Sequence, residues 1–303
     1  TGVQTCALPI WPDSMALRIY TTTHPTQHRI YTLLHDHQYR QAICWQMCGY
    51  NQPPHTSFYL GSDFPEPIAP KTTNGMMVWK GSTSDFSASN WMDGNDAVAL
   101  LAGTSQGIAL ANGRRVLFDP RGVQRSVSLS SVVEPEALTV SGSADYSISG
   151  SGSLAGAMWL DKLGEGKLTL RGIHTYTGIT DVWEGTFVLA DTLTNSPVKV
   201  RRHAVLEIPG KAGAGLSTEY NAQIYAGGKD AVAVSKVKGG FLLAEGARLI
   251  MDLSSTAEGS NDQMIVDGIL TLAPGSIIEI NPTEGKLGPG SYALVKVNGI
   301  SGD

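Results

Sequence analysis

From about Met76 onward the chain is built from short alternating runs separated by turn residues. Examples are RRVLFD (114–119), ALTVSG (137–142), KLTLRG (167–172), TFVLAD (186–191) and FLLAEGARLIMDL (241–253). Alternation at period two, with Gly, Ser, Asn and Asp between the runs, specifies strands and turns; helical periodicity is absent. The pattern predicts an all-β stack, either a parallel β-helix or a β-sandwich. The repeated strand–Gly–strand texture favours the solenoid.

Composition narrows the function classes. Of 303 residues, Lys and Arg number 22 against 27 Asp and Glu, a net charge of −5. A nucleic-acid binder that works by bulk phosphate neutralisation is excluded. Hydrophobic residues at 42% and charged residues at 16% exclude compositional disorder. No window approaches about 18 consecutive apolar residues, so no transmembrane helix is predicted. The opening residues 1–10, TGVQTCALPI, match codon by codon the translation of a common sequencing adapter and are set aside. The native sequence is then expected to start at Trp11, as an internal piece of a longer secreted protein. A missing signal peptide therefore carries no weight.

Texture divides the rest. Residues 11–61 hold five of the seven histidines; residues 62–75 hold Pro65, Pro67 and Pro70 and read as an extended linker. Within the first segment, runs 16–23, 28–36, 39–47 and 56–61 read as four consecutive antiparallel strands, the size of one propeller blade. Such a sheet alone would expose both faces and edges.

WLDKLGEGKLTLRGIHTYTGITDVWEGTFVLAD (159–191) resembles the autotransporter-associated β-strand repeat. The matching positions include Lys162, Gly164, Gly166, Leu168, Leu170, Gly172, Tyr176, Gly178, Thr180 and Gly185, with His174 where Asn is usual. The resemblance implies a right-handed parallel β-helix over residues 76–303, in a secreted or surface protein. It implies no chemistry of the stalk itself. Tyr176 and the Leu168/Leu170 pair would supply interior layers.

RIYTTT (18–23), HRIYTLLHD (28–36) and above all YNQPPHTSFYLG (50–61) resemble the C-terminal end of the family-11 polysaccharide lyases, the rhamnogalacturonan lyases. Cys44, Met47 and Cys48 depart from the family pattern. The resemblance implies an eight-bladed β-propeller with calcium near a central cleft. It also implies β-elimination in rhamnogalacturonan I, a pectic polysaccharide. That chemistry removes the proton alpha to a galacturonate carboxylate and expels the glycosidic oxygen, so it needs a base and a cation. Calcium, a hard ion preferring oxygen ligands, suits the second role. This chain has no acidic loop of the D-x-D-x-D-G kind. NWMDGND (90–96) lacks the spacing and reads as a polar turn. Calcium ligands and the catalytic base are expected upstream of this segment.

Three residues are candidates for substrate contact. Tyr50 precedes the stiff Pro53–Pro54 pair; its ring could stack on a sugar face, and the resemblance implies a rhamnose-contacting Tyr near this end. The alternative is a Tyr that plugs a blade. Asn51 and His55 could join it, or could brace the tight turn. His35 and His37, two apart, would share one strand face, but no further ligand completes a metal set. Cys44 and Cys48, not spaced as C-x-x-C, read as two buried or semi-buried thiols, with a disulfide between them as the alternative. The Ser-rich runs 82–89 and 141–153 are turn residues, and Lys162, Lys167 and Arg171 read as a solvated face. The function so predicted is the C-terminal part of a secreted rhamnogalacturonan lyase with a non-catalytic stalk, inactive by itself. The competing reading is a non-catalytic surface passenger or carbohydrate-binding module. A chimera of two genes is disfavoured by the smooth frame through the prolines.

Overall fold

The alternating runs after Met76 pair in parallel and in a strictly repeating order. A computed structural model of the chain describes residues 10–12, 17–19, 33–45, 54–58, 76–94, 107–110, 112–229 and 231–302. It divides into two units, Thr1–Thr72 and Thr73–Asp303.

From Arg115 onward each strand pairs in parallel with a strand one coil earlier or later. The partner lies 22 residues on at Arg115 and Ala137, and 18 at Thr180 and Val198. Three faces result. The first runs from Arg115–Phe118 through Ala137–Val140, Trp159–Lys162, Thr180–Val182, Val198–Val200 and Leu216–Thr218 to Phe241–Leu243. The second runs from Ser126–Leu129 to Ile277–Pro282, and the third includes Ile173–His174, Thr192–Leu193, Lys211–Ala212 and Val234–Lys238. Neighbours three strands apart and parallel make a β-helix, and they exclude the sandwich.

Register stacks like on like. Val116, Leu138, Leu160, Thr180, Val198, Leu216, Phe241 and Leu270 form one inward row. Tyr146, Leu168, Phe187, Leu206, Ile224 and Leu249 form the facing row. All are buried in one continuous core, except Thr180, which is buried but polar. Leu168, Leu170 and Tyr176 are interior, as the repeat pattern predicts.

The corner between the first and second faces needs a left-handed residue in coil after coil. Gly142, Gly164, Gly185, His203, Asn221, Gly246 and Gly275 all have positive φ there. At Gly164 a Cβ would stand 2.5 Å from the Gly142 nitrogen, so both conformation and space demand glycine. His203 and Asn221 hold the same conformation at φ 62° and 57°, and are among the residues that tolerate it best.

The first coil is sealed by an aromatic plug. Met76–Trp79 pairs antiparallel with Trp91–Asp93 and in parallel with Arg115–Phe118. Trp79 and Trp91 meet edge to face at 5.1 Å, Phe86 and Trp91 at 5.0 Å, and Phe118 meets Tyr146 at 5.2 Å. Each polar tip is satisfied: Trp79 Nε1 donates to Gln124 O, Trp91 Nε1 to Phe86 O, and the Tyr146 hydroxyl to Asp119 O. The segment read as a polar turn instead supplies the strand Trp91–Asp93, and Asn90 before it braces the 83–90 turn through Thr83 and the Asp85 carbonyl.

In the first unit Ile10–Pro12 pairs antiparallel with Leu17–Ile19, which places a strand inside the 16–23 run. The next predicted strands need correction. Leu33–His35 is a 3₁₀ turn, His37–Trp45 is an α-helix, and residues 54–58 contain no strand. Asp36 decides this. Its Oδ1 accepts the Tyr39 N–H at 2.8 Å, the geometry of a helix N-cap. Tyr39, Ala42 and Ile43 then lie partly buried on one helix face, while Gln38, Arg40, Gln41 and Cys44 are exposed. His35 and His37, in a 3₁₀ turn and a helix, therefore do not share a strand face. His24, His28, Cys48 and the remaining residues of the four runs lie outside the described residues.

Candidate carbohydrate-binding surface

Of the three expected substrate contacts, Tyr50 and Asn51 lie outside the described residues and only His55 can be placed. It is exposed on the 54–58 segment. Gln38, from the first turn of the helix, places its Nε2 2.7 Å from His55 Nδ1 and donates to Thr56 O at 3.3 Å. The amide donates, so Nδ1 accepts, and the ring keeps Nε2 as its remaining polar edge. Asp36 anchors the same segment: it accepts the Ser57 hydroxyl, and the Ser57 N–H at 3.2 Å. Burial pushes the Asp36 carboxyl up. The Ser57 hydroxyl and the Tyr39, Ser57 and Gln38 amides outweigh it and hold the group below the ordinary carboxylate value. One carboxylate thus starts the helix and pins the loop that presents His55. Cys44 is exposed and free.

The repeat itself is occupied by structure-building polar groups. Lys162 corrects the solvated-face expectation: it is fully buried and points inward, whereas Lys167 and Arg171 are exposed. Its ammonium donates to the carbonyls of Leu163 at 3.2 Å, Gly164 at 2.6 Å and Glu184 at 3.0 Å. Three N–H donors meet three acceptors. Burial pulls this lysine down to about 8, against the opposing pull of Glu184 and Asp145. His174 is also fully buried. Its Nδ1 accepts the Leu154 N–H at 3.1 Å, and Nε2 lies 3.0 Å from Arg171 O. This fixes a neutral ring with the proton on Nε2, and burial lowers its pKa. Tyr176, Thr180 and Ser196 form a buried hydroxyl chain at 2.6 and 2.8 Å, ending on Gly178 O.

On the outer side of the first face, Asp161 and Asp181 are neighbours across one rung. Asp161 accepts the Trp159 Nε1–H at 3.0 Å. Arg201 grips Asp181 with two 2.7 Å bonds, reaches Glu219 at 2.8 Å and lies 4.1 Å from the Trp183 ring. Lys199 also meets Glu219, at 3.1 Å. Asp181 and Glu219 are neutralised by these cations, so the cluster braces coils together and offers no paired acid and base. Among the described residues no group of three or more His, Cys, Asp or Glu side chains could surround a metal ion. These residues therefore do not fit a calcium site, and no chemical step is assigned to calcium here.

Comparison with known proteins follows this division. Residues 10–70 match the family model of rhamnogalacturonan lyase family 11, C-terminal domain. That segment is similar to a lyase C-terminal domain. Residues 160–189 match the passenger-associated transport repeat. Two curated relatives come from Bacillus subtilis strain 168. Rhamnogalacturonan exolyase YesX is 62% identical over 63 residues, 20% of this chain and 10% of its own length. Rhamnogalacturonan endolyase YesW is 64% identical over 58 residues, 19% of this chain and 9% of its own length. The chain thus spans about a tenth of these relatives. No solved structure matches at a significant level. No helix among the described residues is long and apolar enough to cross a membrane.

Proposed function

We propose that this chain is the C-terminal part of a secreted or surface-exposed rhamnogalacturonan lyase that acts on rhamnogalacturonan I. Residues 11–61 would close its propeller, residues 62–75 would act as linker, and residues 76–303 would form a right-handed β-helical stalk. The observation that carries the reading is the identity above 60% to two rhamnogalacturonan lyases, one exo-acting and one endo-acting. In this reading Tyr50, Asn51 and His55 contact substrate, with His55 aimed by Gln38. The catalytic base and any calcium ligands belong to the portion upstream of Trp11, and the chain alone is inactive because a propeller needs all its blades. Cell-surface attachment through the stalk is part of the same proposal.

The test is to read native coding sequence across the Trp11 junction and express the longer protein. Further lyase sequence and release of unsaturated galacturonate from rhamnogalacturonan I support the reading, provided residues 11–303 alone release none. Direct continuation into a signal peptide or more repeat coils, with no product formed, would favour the alternative of a non-catalytic passenger.

A further inference from the structure

The third face of the coil carries a surface that neither the brace nor the 54–58 segment uses. Register places Thr192, Lys211, Lys236, Ile265 and Lys296 in one row across five successive strands. Lys238 stands two positions beyond Lys236, paired with Asp267. The intervening positions Ala212, Val237 and Val266 are buried inward, which turns the row to solvent. These residues line an open groove of about 510 Å³. All four lysines are exposed. Strands stack about 4.8 Å apart, so the row from Lys211 to Lys296 spreads its charge over roughly 14 Å.

The groove gathers like charges side by side. Some cations on the other faces meet carboxylates across rungs, as Arg115 does with Glu136, Lys199 with Glu219 and Arg248 with Glu279. In the groove Lys211 and Lys236 are direct neighbours, a like-charge pairing that disfavours folding. None of the four lysines has an ion-pair partner among the described residues. The one carboxylate in the lining, Asp267, accepts an Asn298 N–H at 3.2 Å. A basic strip that costs stability, on a chain of net charge −5, is complementary to an extended anion. The partly buried Ile265 supplies an apolar step for a sugar face. No aromatic ring lines the groove for a nucleic-acid base to stack on.

We propose that this groove binds a linear, uronate-bearing polysaccharide along the coil axis, its carboxylates on Lys211, Lys236, Lys238 and Lys296. The choice of polymer rests on the lyase reading above; the polyanion chemistry rests on the groove alone. The test uses the full 303-residue chain, titrated with de-esterified polygalacturonate and, separately, with its methyl-esterified form. The variants are the combined Lys211→Gln, Lys236→Gln, Lys238→Gln and Lys296→Gln, and the single Ile265→Glu, which leaves every lysine in place. Matched thermal melts confirm that both fold. The expected result is binding of the de-esterified polymer that weakens with salt and falls about tenfold or more in both variants, with none to the esterified form. The proposal is overturned by absent binding, by undiminished binding in the variants, by equal binding of the esterified polymer, or by tighter binding of single-stranded DNA. Product release by the longer protein tests the lyase reading separately, so either can fail while the other stands.

Discussion

Lys162 occupies a position where the repeat places a lysine, and the structure supplies the reason. Its three N–H groups close three carbonyls at a corner that backbone pairing cannot serve. Lys162→Met keeps the buried stem and removes the donors. It is expected to lower unfolding free energy by about 2 kcal/mol in urea titrations, whereas the exposed Lys167→Met should change little. His174 carries a pH signature. An unfolded histidine titrates near 6.5 and the buried ring below that. Above this range neither state holds the extra proton. As pH falls through it, the unfolded chain takes up a proton that the native ring refuses, so stability is lost toward acid. Melting temperature should therefore drop more steeply below about pH 6.5 in the wild type than in His174→Asn. Neither role was legible in sequence. A charge within an alternating run reads as solvent-facing, and one sequence cannot show that the next coil will cover it.

At the scale of elements, Asp36 links a helix start to a loop. Asp36→Ala removes the cap and both Ser57 contacts, and should cost about 1 kcal/mol. Amide exchange in residues 37–40 and 55–57 should speed up together. Because donors hold the Asp36 carboxyl below its ordinary value of 3.8, the stabilisation is complete above that pH and fades as pH falls through the lowered value. The strands of the coil were legible because period two and corner glycines repeat; the helix His37–Trp45 was not. Its signals were present: Asp at the cap and apolar residues at 39, 42 and 43. The aromatic and β-branched neighbours outweighed them, and the expected blade carried the run with it. The 54–58 segment was legible as a candidate binding loop, but Gln38 as the support of His55 depends on the helix that was missed.

Within the second unit the coil encloses one main core whose first layer is the plug of Trp79, Phe86, Trp91 and Phe118, while Met76, Val78, Met92 and Leu117 form a separate buried cluster. Truncating a ring of this size leaves a cavity at the one position where no earlier coil can fill it. Trp91→Ala should cost about 3–5 kcal/mol, read as a lowered urea midpoint. A solenoid transmits such a loss mainly to its nearest coils, so tryptophan fluorescence at Trp79 should report unfolding ahead of far-ultraviolet dichroism.

The column of left-handed corners has a consequence for length. From the Gly142 corner onward each coil begins its second face from the same backbone conformation, so successive coils are interchangeable at that seam. Removing residues 180–197 would join Ile179 directly to Val198, which would then take the register against Leu160 that Thr180 now holds. The molecule would shorten by one strand spacing, about 4.8 Å, without disturbing either end. The β-helix is in this sense a graduated ruler: the gene can set its length in steps of one coil.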